Sequence, residues 1–125
     1  MTWDGIGRGS LKAAQRMKTE GHWRSSVSRS YYAAFSVLAE RLIPHITLPV
    51  GYTAPPHQNM SGYIRRHLAD LYPKENRSLR ATVTRLYNAR LDADYNPAAS
   101  HDERVALNAL RDARTVFAIL EVDDG

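Results

Sequence analysis

"SVSRSYYAAFSVLAERL", Ser26 to Leu42, decides the fold. Val27, Tyr31, Ala34, Phe35, Leu38 and Leu42 recur at three- and four-residue steps, the spacing of one helix face. Ser30, Ala33 and Ala34 are small, so a second helix can approach closely beside them. Adjacent residues on a helix point about 100° apart. One ring of the pair Tyr31 and Tyr32 therefore enters a core while the other stays at its margin. Pro44 closes the segment, because the residue before a proline is pushed away from helical backbone angles.

Working outward, the same period returns on both sides. "LKAAQRMKTE" reads as a short first helix capped by Ser10 and stopped by Gly21. The nine residues before it, with three glycines among them, read as a flexible lead. "GIGRG" has neither the preceding strand nor the glycine spacing of a phosphate-cradling loop. Four prolines between Pro44 and Pro56 mark a long loop. A third helix is expected from His57 to Tyr72, weakened by Gly62 and ended by Pro73. A fourth, about Ser78 to Asp94, carries Val83, Leu86, Tyr87 and Ala93 and stops at Asn96-Pro97. The closing stretch "SHDERVALNALRDARTVFAILEV" opens with a capping-box pattern, Ser100 and Glu103, and lines one face with Val105, Leu110, Ala113, Val116, Phe117 and Leu120. No segment alternates convincingly as a strand; "ITLPVGYT" comes nearest, and its proline argues against it. The fold class is all-α: one domain, an antiparallel four- to five-helix bundle over residues 10–122 behind a lead at 1–9.

Composition narrows the function. With 43% hydrophobic and 24% charged residues the chain lies in the globular range, not the disordered one. Seventeen Lys and Arg against 13 Asp and Glu leave a net charge of +4, which favours nucleic acid or another anionic partner. The absence of cysteine excludes disulfides, thiolate catalysis and cysteine-based zinc sites. Five histidines stand apart, with no HExxH or other tight ligand pair, so no metal site and no cofactor is expected. No apolar run reaches the ~20 residues that span a bilayer. "MTWDGIGRGS" lacks the pattern of a signal peptide, so the expected setting is the cytoplasm, away from membranes.

The segment with most chemistry is "RLYNARLDADYNP", Arg85 to Pro97. Arg90 and Asp94 are four apart, hence on one helix face, with Tyr95 next to them. Such an arginine, oriented by a carboxylate at the end of a bundle, suits a phosphate met bidentately. The same spacing also suits an ordinary surface ion pair. Arg29 and Tyr32, on the helix that opened this reading, are expected to join Arg90, Asp94 and Tyr95 in one polar cluster, with the inward tyrosine of the Tyr31–Tyr32 pair packed beneath it. Arg29 with Asp94 is equally a buried pair fixing helix register.

Taken together and in order, "SVSRSYYAAF" and "RLDADYNP" resemble the paired signatures of the HEPN domain superfamily, in its branch with R-x-YYAAF early and R-x-x-ADY late. The resemblance covers about residues 10–120 and includes a loop histidine, His57 in "PPHQNM". It implies a helical bundle that forms a homodimer with a cleft along the interface. It also implies RNA or a nucleotide as ligand, and a toxin–antitoxin or defence setting with a nucleotidyltransferase antitoxin as partner. Members that are metal-independent ribonucleases carry Arg-x4–6-His at the end of the corresponding fourth helix. There the arginine steadies the phosphate and the histidine handles the 2′-hydroxyl proton. Here Arg90 is followed by Asp94, and the next histidine, His101, stands eleven residues on. Arg90 and Asp94 are the candidate catalytic residues, but a carboxylate paired with an arginine is a weak base. Arg29, Tyr31, Tyr32, His57 and Tyr95 are the candidate ligand-binding or structural residues. Three functions stay open: a binding module, a ribonuclease with His57 or His101 as substitute histidine, and a purely structural bundle.

Overall fold

The computed structural model describes residues 1–124 and is helical throughout, with no strand among the described residues. Five α-helices follow in order: α1 Trp3–Thr19, α2 Trp23–Leu42, α3 Met60–His67, α4 Asn76–Tyr95 and α5 Glu103–Ile119. Two 3-10 turns, Ile43–His45 and His57–Asn59, frame the proline-rich loop. The all-α bundle is as expected from the periodicity. None of the helices is long and apolar enough to cross a membrane.

The N-terminal end departs from expectation. Residues 1–9 are not a lead: all but the first two lie in α1. Thr2, not Ser10, is the cap, its Oγ1 accepting from the Gly5 N–H at 2.9 Å, and Asp4 adds negative charge to the first turn. Ser10 is buried inside the helix. Of the three glycines here, Gly7 is there for proximity. A Cβ on Gly7 would lie 2.8 Å from Val37 Cγ1 and 3.1 Å from the Ala33 carbonyl oxygen, so α1 can rest on α2 there only without a side chain. Trp3 meets Phe35 edge to face at 6.2 Å, and Arg41, at the end of α2, donates to both carboxylate oxygens of Asp4 at 2.7 and 3.2 Å. Start of α1 against end of α2 makes the pair antiparallel.

Gly21, with φ +82°, ends α1 in a left-handed turn, and the His22 N–H reaches back to the Met17 carbonyl at 2.8 Å. The Ser26 hydroxyl then donates to the Ala14 carbonyl at 2.8 Å, fixing the two helices again. α2 is the central element, with twelve buried residues facing α1, α4 and α5. Its small positions behave as read: Ser30, Ala33 and Ala34 are buried.

The third helix is shorter than the expected His57–Tyr72, because α3 ends at His67 and a turn through Leu68 carries the chain on. α4 is longer, starting at Asn76, whose side-chain amide donates to the Ile64 carbonyl at 2.9 Å and ties α4 to α3. The cap of α5 is also not the one expected. Asp102 accepts the Val105 N–H at 3.0 Å, so Ser100 and Glu103 form no capping box. Asp outcompetes the more distant Ser simply by standing at the residue where helical angles begin.

Candidate functional site

α2 and α4 lie side by side, and the polar site sits where the first half of α2 meets the last turns of α4. Tyr31 and Tyr32 divide as the helix geometry requires. Tyr31 is 1% exposed, in the core beside Phe35 and Tyr87; Tyr32 stands at the margin.

Arg90 is the centre of the arrangement. Its side chain is only 12% exposed. Nε donates to Asp94 Oδ2 at 3.0 Å and Nη2 donates to the Tyr32 hydroxyl at 2.9 Å. The guanidinium carbon lies 5.8, 5.3 and 5.5 Å from the ring centres of Tyr31, Tyr32 and Tyr95, so three aromatic rings surround one cation. Asp94 is held from α2 as well, since Ser28 Oγ donates to the same Oδ2 at 3.3 Å. Burial acts to lower the Arg90 pKa, but the Tyr32 phenol, Asp94 and Tyr95 outweigh it and hold the group above its ordinary value. Arg90 stays a cation at any physiological pH, and its Nη1 donates to no described residue.

Beneath it, the Tyr31 hydroxyl and His57 Nδ1 share a hydrogen bond of 2.6 Å, and the imidazole stacks on Phe35 at 4.2 Å. Burial pushes the Tyr31 phenol well above its usual range, against the opposing pull of Arg90. Burial, then the Arg90 charge, lowers the pKa of His57. Tyr31 is therefore protonated and His57 neutral near pH 7. The Tyr31 O–H has no other acceptor among the described residues, so it donates to Nδ1. The ring proton then sits on Nε2, which makes His57 a hydrogen-bond donor in its resting tautomer and not a base.

Six of the residues singled out in the sequence thus meet: Arg90, Asp94, Tyr31, Tyr32, Tyr95 and His57. Arg29 does not. It forms no pair with Asp94; its guanidinium is exposed and bonds to no described residue. At that position on α2 it leans over an open groove of about 510 Å³, whose walls also include Arg24, Ser28, Tyr32 and Asp94. His101 Nδ1 lies 3.4 Å from the carbonyl oxygen of Ala99, two residues earlier, and lines a different hollow with His22 and Trp23, so it takes no part in the cluster. Among the described residues no three His, Asp or Glu side chains gather as metal ligands would.

Arg24 is the residue the sequence reading missed. Its Nη1 donates to the carbonyls of Asp92, Ala93 and Asn96 at 3.1, 3.2 and 2.9 Å, and Nη2 to those of Pro97 and Ala99. One guanidinium thus ties the last turn of α4, through the Asp92 and Ala93 carbonyls, to the turn that follows it, through those of Asn96, Pro97 and Ala99. A signal was available: a cation in the first turn of α2 opposes that helix's own dipole, which is tolerable when it serves another helix's C-terminus.

The chain matches the HEPN domain family over residues 2–123 and belongs to it. No curated protein and no solved structure matches it.

Proposed function

We propose that this HEPN-domain chain is an RNA- or nucleotide-binding module, with Arg90 as its phosphate anchor. It acts as a cytoplasmic homodimer beside a nucleotidyltransferase partner in a toxin–antitoxin or defence system. Membership of the family supports the nucleotide and RNA connection in general terms. The observation that carries the site is the state of Arg90: fixed by Asp94 and Tyr32, surrounded by three rings, and with Nη1 donating to no described residue. A guanidinium already held in place loses little further freedom when it binds an anion, so its hydrogen bonds count almost in full.

The ribonuclease reading has one observation in its favour, the hydrogen bond through which Tyr31 joins His57 to the ring beneath Arg90. The tautomer weighs against it, because a base for the 2′-hydroxyl needs a free lone pair and Nε2 carries a proton. One experiment separates the readings. Binding of a labelled single-stranded RNA is measured by fluorescence anisotropy for the wild type, Arg90→Lys and Arg90→Ala, after circular dichroism shows all three folded. The same samples are then run on a gel after incubation without added metal. Loss of one charged hydrogen bond weakens binding by about tenfold or more, so Arg90→Ala is expected to fall by that factor with the RNA intact. A folded Arg90→Ala that binds as well as wild type would refute the anchor and leave the structural reading. RNA cut by the wild type but not by His57→Ala would make the protein a ribonuclease. Light scattering checks the dimer.

A further inference from the structure

We infer that Tyr95 is a stacking platform for an unpaired nucleobase, so that the protein takes single-stranded RNA by base as well as by phosphate. The inference rests on the RNA reading of the Arg90 site and adds the part of the ligand that Tyr95 meets.

Three rings surround Arg90, and they are not equally open. Tyr31 is buried in the core. Tyr32 stands at the margin, its hydroxyl accepting from Arg90 Nη2 and its ring set edge to face against Tyr31 and His57 at 5.4 and 5.8 Å. Tyr95 is 69% exposed. The Arg90 guanidinium lies over its ring at 5.5 Å, and among the described residues no other ring pairs with it and its hydroxyl bonds to none. One face of Tyr95 is thus covered by a cation, and the exposure that remains leaves the opposite face to solvent.

An exposed tyrosine on a loose tail would carry no such meaning, but here the backbone is held on both sides. Tyr95 is the last residue of α4, and the Asn96 N–H closes on the Asp92 carbonyl at 3.1 Å. Arg24 reaches from α2 to the carbonyl of Ala93, before Tyr95, and to those of Asn96 and Pro97, after it. The Asn96 side chain adds a bond from the Ala98 N–H at 3.1 Å. A flat apolar surface is therefore fixed in water beside a cation that Asp94 and Tyr32 also fix. A ring placed in advance loses little freedom on binding, so its contact area counts almost in full.

Charge and shape together choose the occupant. An aliphatic side chain would use the ring and nothing of Arg90; a simple anion would use Arg90 and nothing of the ring. A single-stranded oligonucleotide uses both, a phosphate for the guanidinium and a flat base for the ring, and the two need not belong to one nucleotide. The guanidinium also draws electron density toward the face it covers, which lessens repulsion between the outer face and the π cloud of a stacked base. Bases stacked within a duplex have no free face to offer, so the platform selects unpaired strands. Every base has such a face, so the selection is for single strands and tolerant of sequence.

The test compares a short oligouridylate with an abasic ribose-phosphate chain of the same length by titration calorimetry, at one fixed salt concentration because phosphate binding is strongly salt-dependent. The wild type is expected to bind the oligouridylate at least about fivefold more tightly, the lower end of what one stacked base contributes. Tyr95→Phe keeps the ring and is expected to keep the ratio. Tyr95→Ala, checked for folding by circular dichroism, is expected to bring the ratio close to one, whatever it does to the absolute affinities through Arg90. Equal binding of both chains by the wild type overturns the stacking inference while leaving the phosphate anchor standing. A ratio that survives in folded Tyr95→Ala also overturns it. So does a Tyr95→Ala that is monomeric in light scattering where the wild type is dimeric, which assigns the ring to a protein interface. Binding of neither chain removes the anchor itself, and the stacking inference with it.

Discussion

Gly7 and Gly9 occupy the same helix and allow the packing of α1 on α2 to be weighed without interference from helix propensity. Replacing a glycine by alanine in a helix interior stabilises by about 0.5–1 kcal/mol through the entropy of the unfolded chain. Gly9 should show that gain alone, since a Cβ there meets nothing within 4 Å. At Gly7 the same methyl would sit 2.8 Å from Val37 Cγ1 and 3.1 Å from the Ala33 carbonyl oxygen. Neither neighbour yields cheaply. Val37 is fully buried and β-branched, with one favoured rotamer in a helix, and Ala33 O is backbone of the central helix. Forcing the methyl in costs about 1–3 kcal/mol of overpacking. Propensity cancels between the two variants, so their stabilities should differ by that overpacking cost, with Gly9→Ala above the wild type and Gly7→Ala below it. In a domain of this size 1 kcal/mol moves Tm by about 4 °C, and urea melts give the free energies directly. If Gly7→Ala were as stable as Gly9→Ala, α1 would not rest on α2 at this depth, and the whole N-terminal account would be wrong.

The two adjacent tyrosines should separate stability from binding. Tyr31→Phe leaves His57 Nδ1 without its donor and is expected to cost about 1–2 kcal/mol in urea denaturation, whereas Tyr32→Phe, at the margin, should cost less and instead loosen Arg90, lowering affinity for RNA. Stability should also fall with acid through His57. Its folded pKa is lowered by burial and by Arg90, so the folded state binds fewer protons than the unfolded one below the ordinary value of about 6.5. The contribution is complete above that value and is lost as pH drops from it toward the folded pKa, and His57→Gln should flatten that part of a Tm-against-pH curve.

The legible parts of the sequence were those governed by local spacing. α2 and α4 follow from apolar residues at three- and four-residue steps, and the division of labour between Tyr31 and Tyr32 follows from a 100° step. The pairing of Arg90 with Asp94 is likewise a local, four-residue fact. What failed were features decided across the fold. A run of glycines looks the same whether it is loose or pressed against a neighbour, and only the position of Val37 tells them apart. Arg29 was expected to meet Asp94 because both belong to the motifs. Yet Ser28, one position earlier, points toward α4 and takes that role, while Arg29 turns to solvent. His57 entered as a loop histidine, but its bond to Tyr31 spans the proline-rich loop and no spacing rule supplies it.

Net charge alone says little about how such a chain meets an anion. Arg24 and Arg29 line the groove, Arg90 bonds two residues of its wall, Tyr32 and Asp94, and the three arginines are not equivalent. Arg24 has committed its guanidinium to carbonyls at the end of α4, so its charge is shared with a helix dipole and its donors are engaged. Arg29 is free in every donor but also free to move, and ordering a long exposed side chain offsets part of what it contributes. Arg90 lies between these extremes: two nitrogens are engaged in holding it still, which leaves the third both unclaimed and fixed in direction. Asp94 and Tyr32 thus make the arginine more useful by occupying it in part. The same carboxylate that offsets the charge of Arg90 is what orients it, and this is why an Arg–Asp pair at the end of α4 is compatible with an anion site where a simple count of charges would argue against one.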